Sequence, residues 1–311
     1  MFRSIWDDVK REYSYGNMVT RIIIINLAFF VIVKLLWVVL MIGNAWVEPE
    51  IYRTISRFFM ISSDWKHNLT HPWVIITHMF FHQDVFHILW NMLFLYWFGR
   101  IVGDLLGNHR VLPLYLLGGL VGGIAYFITS KLLFQHTGFA LGASGAVMAI
   151  VVAAGTTSPD YIMRLILLGD IKLKYIVGAL VLLDVIGMGS NINTGGRIAH
   201  LGGAFFGWVF VRQLREGNDL SISVNKLLAW LQQIFKGIKG GNPLDRKGPK
   251  VVYRNPNRKK MASNVKGNAA SDYNDMSYQE QLDSILEKIK KTGYENLTEE
   301  EKEFLFNASK K

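Results

Sequence analysis

Three separated stretches carry side chains that chemistry needs and apolar segments rarely tolerate. "GFALGASGAVMAI", residues 138–150, sets Ser144 among glycines and alanines at the start of an apolar run. "RIAHLGGAFFG" contains His200, and "HQDVFHILWN" contains His87 and Asn91. A histidine can take the proton of a serine hydroxyl and return it to a leaving amine, which is the chemistry of acyl transfer. His87 and Asn91 are spaced i,i+4, so one helix face presents both. Either can donate to a developing oxyanion, as can free amides at the start of a helix carrying Ser144. Ser144 has no charged neighbour in sequence, so its base must come from elsewhere in the chain.

Half of the 311 residues are apolar, yet there are 34 Lys+Arg and 24 Asp+Glu, unevenly placed. That distribution predicts an all-α membrane domain with a polar extension. The chain contains no Cys, which excludes disulfides, thiolate nucleophiles and cysteine-held metals. The net charge of +10 lies largely beside apolar segments. It is therefore assigned to membrane orientation and contact with anionic lipid, not to nucleic acid.

Six spans are expected. The first covers 19–43, interrupted by Lys34, and is read as retained, not as a signal peptide. Residues 44–70 should hold a helix lying in the interface. The second span covers 72–98, with His78, His82, His87 and Asn91 in a polar first part, and the third 111–133. The fourth runs from about 142 to 157, the fifth from 175 to 186, and the sixth from 198 to 211. Glycines recur in most of them, and small residues let helices approach closely. Gly142, Gly145, Gly203 and Gly207 would bring spans four and six near enough for a Ser144–His200 couple.

Basic residues mark alternate loops: Arg100 and Arg110, then Arg164, Lys172 and Lys174, then Arg212 and Arg215. Both termini are thus expected in the cytoplasm, and the polar set near the outer surface. The domain plan is an N-terminal segment 1–18, a six-span domain 19–217 and an amphipathic helix 218–240. A flexible basic linker 241–275 and a helical hairpin 276–311 follow. Residues 236–266 hold ten Lys/Arg against one Asp, which suits a solvated tether. In the hairpin, Leu282, Ile285, Leu286 and Ile289 form one apolar face, and Gly293 ends the first helix. Thr298 with Glu301 offers a capping box for the second, and Phe304 and Leu305 pack back on the first. Such a tail would bind a cytoplasmic partner or a second copy.

Taken alone, Ser144 is a packing serine and His200 a histidine bonded to a backbone carbonyl. Polar groups inside spans are costly, so their joint occurrence turns the reading to catalysis. Asp184, near the outer end of span five, is the nearest acidic candidate for a third member. It is expected to be structural, leaving a Ser–His dyad. His67, His71, His78, His82 and His87 crowd one region, and the i,i+4 spacing of His78 and His82 leaves a two-histidine site open. No HExxH motif accompanies it, so no metal and no cofactor are expected. A transporter with ion-binding broken helices is the main non-enzyme alternative, and a catalytically dead relative is a third. The polar set near one surface, with both Ser144 and His200 retained, argues against these two.

"GASG", "AHLGG" followed by Gly207, and "HILWN", placed on six spans, closely resemble the rhomboid intramembrane serine proteases over about residues 15–215. The resemblance implies Ser144 as nucleophile and His200 as general base and acid. It implies an oxyanion hole of His87, Asn91 and the Ser144 backbone N–H. His82 would stand near cavity water, and Gly203 and Gly207 would pack the last helix. Gly142 supports the site. The implied substrates are single-span membrane proteins, cut near the outer face. The tail resembles a helical domain attached to rhomboids of Bacteroidetes-type bacteria, which implies a bacterial cytoplasmic (inner) membrane. Where the family has a Trp-Arg pair in the loop between spans one and two, Trp65 is followed by Lys66.

Overall fold

The chain is described from a computed structural model covering residues 2–47, 49–131, 138–165, 169–190, 193–238, 278–292 and 294–308. The described residues fall into two units, 1–241 and 242–311. In the first, helix starts follow local capping chemistry. Asn17 accepts from the Thr20 amide at 2.9 Å and opens α2, Met18–Gly43, behind a short α1, Phe2–Tyr15. Lys34 lies over the rings of Phe30 and Trp37, at 5.8 and 5.3 Å, so the cation is covered by aromatic faces of its own helix.

The loop after α2 contains the expected amphipathic helix, α3 (Glu50–Phe59), then a short strand β1 (Ile61–Ser62) and α4 (Trp65–Thr70). It is anchored without a Trp-Arg pair. The Ser62 amide donates to Asn68 Oδ1 at 2.9 Å and Asn68 Nδ2 to the Ser62 carbonyl at 2.7 Å, while Trp73 Nε1 reaches the Phe58 carbonyl at 2.8 Å.

The expected second span is not one helix. Residues 72–84 form a single turn α5 (Val74–Thr77), a 3₁₀ turn His78–Phe80 and extended chain; α6 begins at Val85 and runs to Leu106. Asp84 is the physical reason: its backbone is extended and its carboxylate accepts from the His87 amide at 2.8 Å, so the helix starts there. α7 spans Val111–Thr129; residues 132–133 of the expected third span lie outside the described residues. β2 (Phe139–Ala140) pairs antiparallel with β1, Ile61 opposite Ala140. Then follow α8 (Ser144–Thr157), the hairpin β3 (Ile162–Leu165) and β4 (Gly169–Lys172), α9 (Leu173–Gly187), α10 (Thr194–Arg215) and α11 (Ser221–Ile238).

Among the described residues, three helical stretches are long and apolar enough to cross a membrane: Met18–Gly43, Val85–Leu106 and Asn108–Thr129; Ser144–Thr157 is apolar but shorter. The fold is therefore largely helical, with fewer clear spans than the six expected. α8 is the central post, buried from Gly145 through Gly155, with α6, α7, α9 and α10 against it. A Cβ at residue 203 would collide with the Gly145 carbonyl, and one at 207 with the Ala149 carbonyl. Glycine at both positions lets α10 lie backbone to backbone on α8. Tyr115 of α7 donates to the Met79 carbonyl at 3.0 Å and lies 3.3 Å from Asn26 of α2, tying the 78–82 segment to two helices.

The basic loop between α8 and α9 is less positive than its lysines and arginine suggest. Arg164 pairs with Asp170 at 2.8 Å, and Lys172 and Lys174 with Asp160 at 3.1 and 2.9 Å. The hydrogen bonds from Lys174 and Lys172 hold the Asp160 carboxyl below its ordinary range.

In the second unit, α12 (Tyr278–Thr292) and α13 (Glu299–Ala308) form the helical pair. The capping box is present: the Thr298 amide donates to Glu301 at 2.8 Å and the Glu301 amide to Thr298 Oγ1 at 3.3 Å. Ile285 is buried, whereas Leu286 is exposed and leaves the expected apolar face. Gly293 and the basic linker 241–275 lie outside the described residues.

Candidate active site

Two hydrogen bonds fix the loop that delivers Ser144. The Gly142 amide donates to the His78 carbonyl at 2.8 Å. The next amide, Ala143, donates to His82 Nε2 at 3.3 Å. Since Nε2 accepts, the His82 proton sits on Nδ1, which faces the Phe80 carbonyl at 3.3 Å. His82 is thus a buried bracket, 2% exposed. The first intrahelical bond of α8 runs from Val147 to Ala143, so the amides of Ser144, Gly145 and Ala146 have no acceptor within their own helix.

Ser144, His200, His87 and Asn91 all line one cavity of about 900 Å³. α8, α10 and α6 deliver them. The described hydrogen bonds include none between Ser144 and His200. His87 and Asn91 lie one turn apart; Asn91 Nδ2 donates one hydrogen to the His87 carbonyl at 2.8 Å, leaving its second. Phe86 and Trp90 of α6 and Leu180 and Leu183 of α9 add apolar walls.

A fifth polar group on the cavity is Asp184, for which the sequence suggests a structural role. His200 Nδ1 lies 3.0 and 3.1 Å from the two oxygens of Asp184 on α9. The sequence offers Asp184 as the nearest acidic candidate, a lone carboxylate in an apolar span, although fifteen residues separate it from His200. The histidine crowd divides. His67 stacks on His71 at 4.5 Å, and His82 packs near His87 at 5.0 Å. Among the described residues, no three His, Asp or Glu side chains converge as a metal site would require.

Residues 69–216 match the rhomboid domain family, and residues 273–311 match a family of unknown function, DUF6576. The chain is similar to the Danio rerio protein "Presenilin-associated rhomboid-like protein A, mitochondrial", with 32% identity over 164 residues, 52% of this chain and 42% of that protein. It is 30% identical over 170 residues to the Homo sapiens presenilin-associated rhomboid-like protein, mitochondrial, covering 53% of this chain and 43% of that one. With the Arabidopsis thaliana RHOMBOID-like protein 12, mitochondrial, the identity is 32% over 174 residues, 51% of each chain. The chain thus spans about half the length, or less, of the curated relatives it matches.

These relatives are mitochondrial by name, and that overturns the placement in a bacterial cytoplasmic membrane with cytoplasmic termini. Basic loops distinguish one side of a bilayer from the other; they do not name the compartment. The tail's match has no assigned role and carries no link to a bacterial domain. For the segment that contains the cavity the likeness is direct: residues 69–216 are similar to the rhomboid domain family.

Proposed function

We propose that the chain is an intramembrane serine endopeptidase that cuts transmembrane proteins near the membrane face opposite its basic loops. One observation carries the reading: Ser144, His200, His87 and Asn91, from three helices, line a single cavity. Ser144 Oγ attacks the carbonyl carbon of the scissile bond while its proton passes to His200. The tetrahedral oxyanion takes hydrogen bonds from the Ser144 amide, the second Asn91 hydrogen and His87. His200 then protonates the leaving amine, and water repeats the cycle on the acyl-enzyme.

A peptide bond in a spanning helix is shielded because its amides are already bonded. The substrate is therefore a single-span protein with a small residue at the cut and Gly or Pro further along its helix, where unwinding is easier. The tail hairpin is read as an accessory element that binds a partner or a second copy. The test is cleavage of a single-span model substrate by purified full-length chain, with fluorophosphonate labelling of the serine. Wild type should cleave and label, and Ser144→Ala should do neither. Equal cleavage by both proteins would refute the reading.

A further inference from the structure

Asp184 is buried in the last turns of α9, where its neighbours in sequence are exposed. Around it on α9, Leu182, Val185 and Ile186 are exposed, between 46% and 64%, as side chains turned toward lipid would be, while Leu183 lines the cavity. Asp184 alone in that turn is buried, at 9%. A carboxylate removed from water is costly unless paired, so its inward position needs a partner that repays the loss. The groups facing it come from α10. His200 Nδ1 lies at 3.0 and 3.1 Å from its two oxygens, and Arg197 Nη1 is at 3.8 Å from one of them. Arg197 is engaged elsewhere as well, donating to the Leu183 carbonyl at 3.2 Å. The close, two-oxygen contact belongs to the histidine.

We infer that Asp184 is a positioning residue of the protease, making the catalytic couple a Ser144–His200–Asp184 triad; this rests on the function proposed above. A carboxylate can only accept, so Nδ1 must carry the hydrogen, and the lone pair of the neutral ring is confined to Nε2. That is the tautomer a general base requires. When Ser144 Oγ forms its bond to the substrate carbonyl carbon, its proton moves to Nε2 and the ring becomes imidazolium. Asp184 stabilises that cation without taking a proton. The proton then leaves from Nε2 to the amide nitrogen as the peptide bond breaks. Dispensing with Asp184 leaves the ring free to rotate or to adopt the other tautomer. The cost falls on turnover, not on substrate capture.

The experiment uses the full-length protein and a single-span model substrate, comparing wild type, Ser144→Ala, Asp184→Asn and Asp184→Glu. Asp184→Asn should lower kcat by roughly 10²–10⁴-fold, with KM unchanged within about threefold, because only the transition state loses the contact. Asp184→Glu should recover part of kcat, since it restores a carboxylate. Imidazole ¹⁵N NMR of the wild-type protein at alkaline pH, which needs no variant to fold, should show His200 protonated at Nδ1. Asp184→Asn turnover within a few-fold of wild type, or wild-type His200 protonated at Nε2, would overturn the triad. Wild type and Ser144→Ala that behave alike would instead sink the protease reading itself.

Discussion

The His87 ring stands where a side chain on residue 142 would have to go: a Cβ there would lie 2.6 Å from its Nε2. Residue 142 also has φ of +111°, a conformation side chains rarely adopt. Both facts demand glycine, for separate reasons, immediately before the nucleophile loop. Gly142→Ala should therefore displace His87 and the loop together. Because small misplacements of reacting groups are expensive, turnover should fall by about 10²-fold. Steady-state cleavage, with expression and detergent stability as controls, checks this.

Loss of an oxyanion donor should be felt in turnover. Asn91→Ala is expected to lower kcat by roughly 10–1000-fold, with fluorophosphonate labelling of Ser144 still detectable. His87→Ala should act similarly. Normal turnover in both variants would leave the oxyanion to backbone amides alone.

His82 makes a prediction that separates bracket from catalyst. His82→Phe fills the space but leaves the Ala143 amide buried without its acceptor, a cost of about 1–3 kcal/mol. The denaturation midpoint in detergent should drop along with activity. His82→Gln, whose side-chain oxygen can accept, should restore part of both. A His82→Phe protein as stable as wild type would show that the Ala143 bond contributes nothing.

Two glycines of α10 should differ in consequence although both touch a carbonyl of α8. Gly203→Ala pushes on Gly145, next to the nucleophile, and Gly207→Ala pushes on Ala149, one turn further along. Overpacking of this kind costs about 1–3 kcal/mol at each site. Stability should fall in both, but the serine labelling rate of the folded fraction should fall only in Gly203→Ala. Labelling that falls equally would mean that α8 moves as one rigid body.

Ending the chain after Lys239 should keep cleavage of a detergent-solubilised substrate within a few-fold of the full-length rate. The tail has its own capping box and its own Lys288–Glu301 pair at 2.7 Å. Its stability is thus written locally, as separate contact units suggest. A large loss on truncation would require energetic coupling between tail and protease domain.

Much of this arrangement was readable in advance, because helix starts and small-residue patterns are local signals. The expected spans at 19–43 and 142–157 fall on α2 and α8 within two residues. The stretch 72–84 belongs to the expected second span, but its backbone and histidines are spent bracketing residues 142–143 from a distance in sequence. The β1–β2 pairing was invisible for the same reason, since neither two-residue strand has a period of its own. Asp184 is legible in the sequence as the nearest acidic candidate for a third member, but a structural role is the expectation there; the packing of α9 on α10 sets it against His200.

The central post has a further consequence in time. α8 is enclosed by protein along nearly all of its length, whereas only Leu173 and Asp184 are buried on α9. Lipid tails surround such an exposed helix and exchange places rapidly; protein side chains around a buried one do not. Amide hydrogens of α8 from Val147 onward should then exchange only through global opening, and those of α9 through cheap local excursions. The helix behind Ser144 keeps the slow clock of the molecule, and Asp184, beside His200, rides on the fast one.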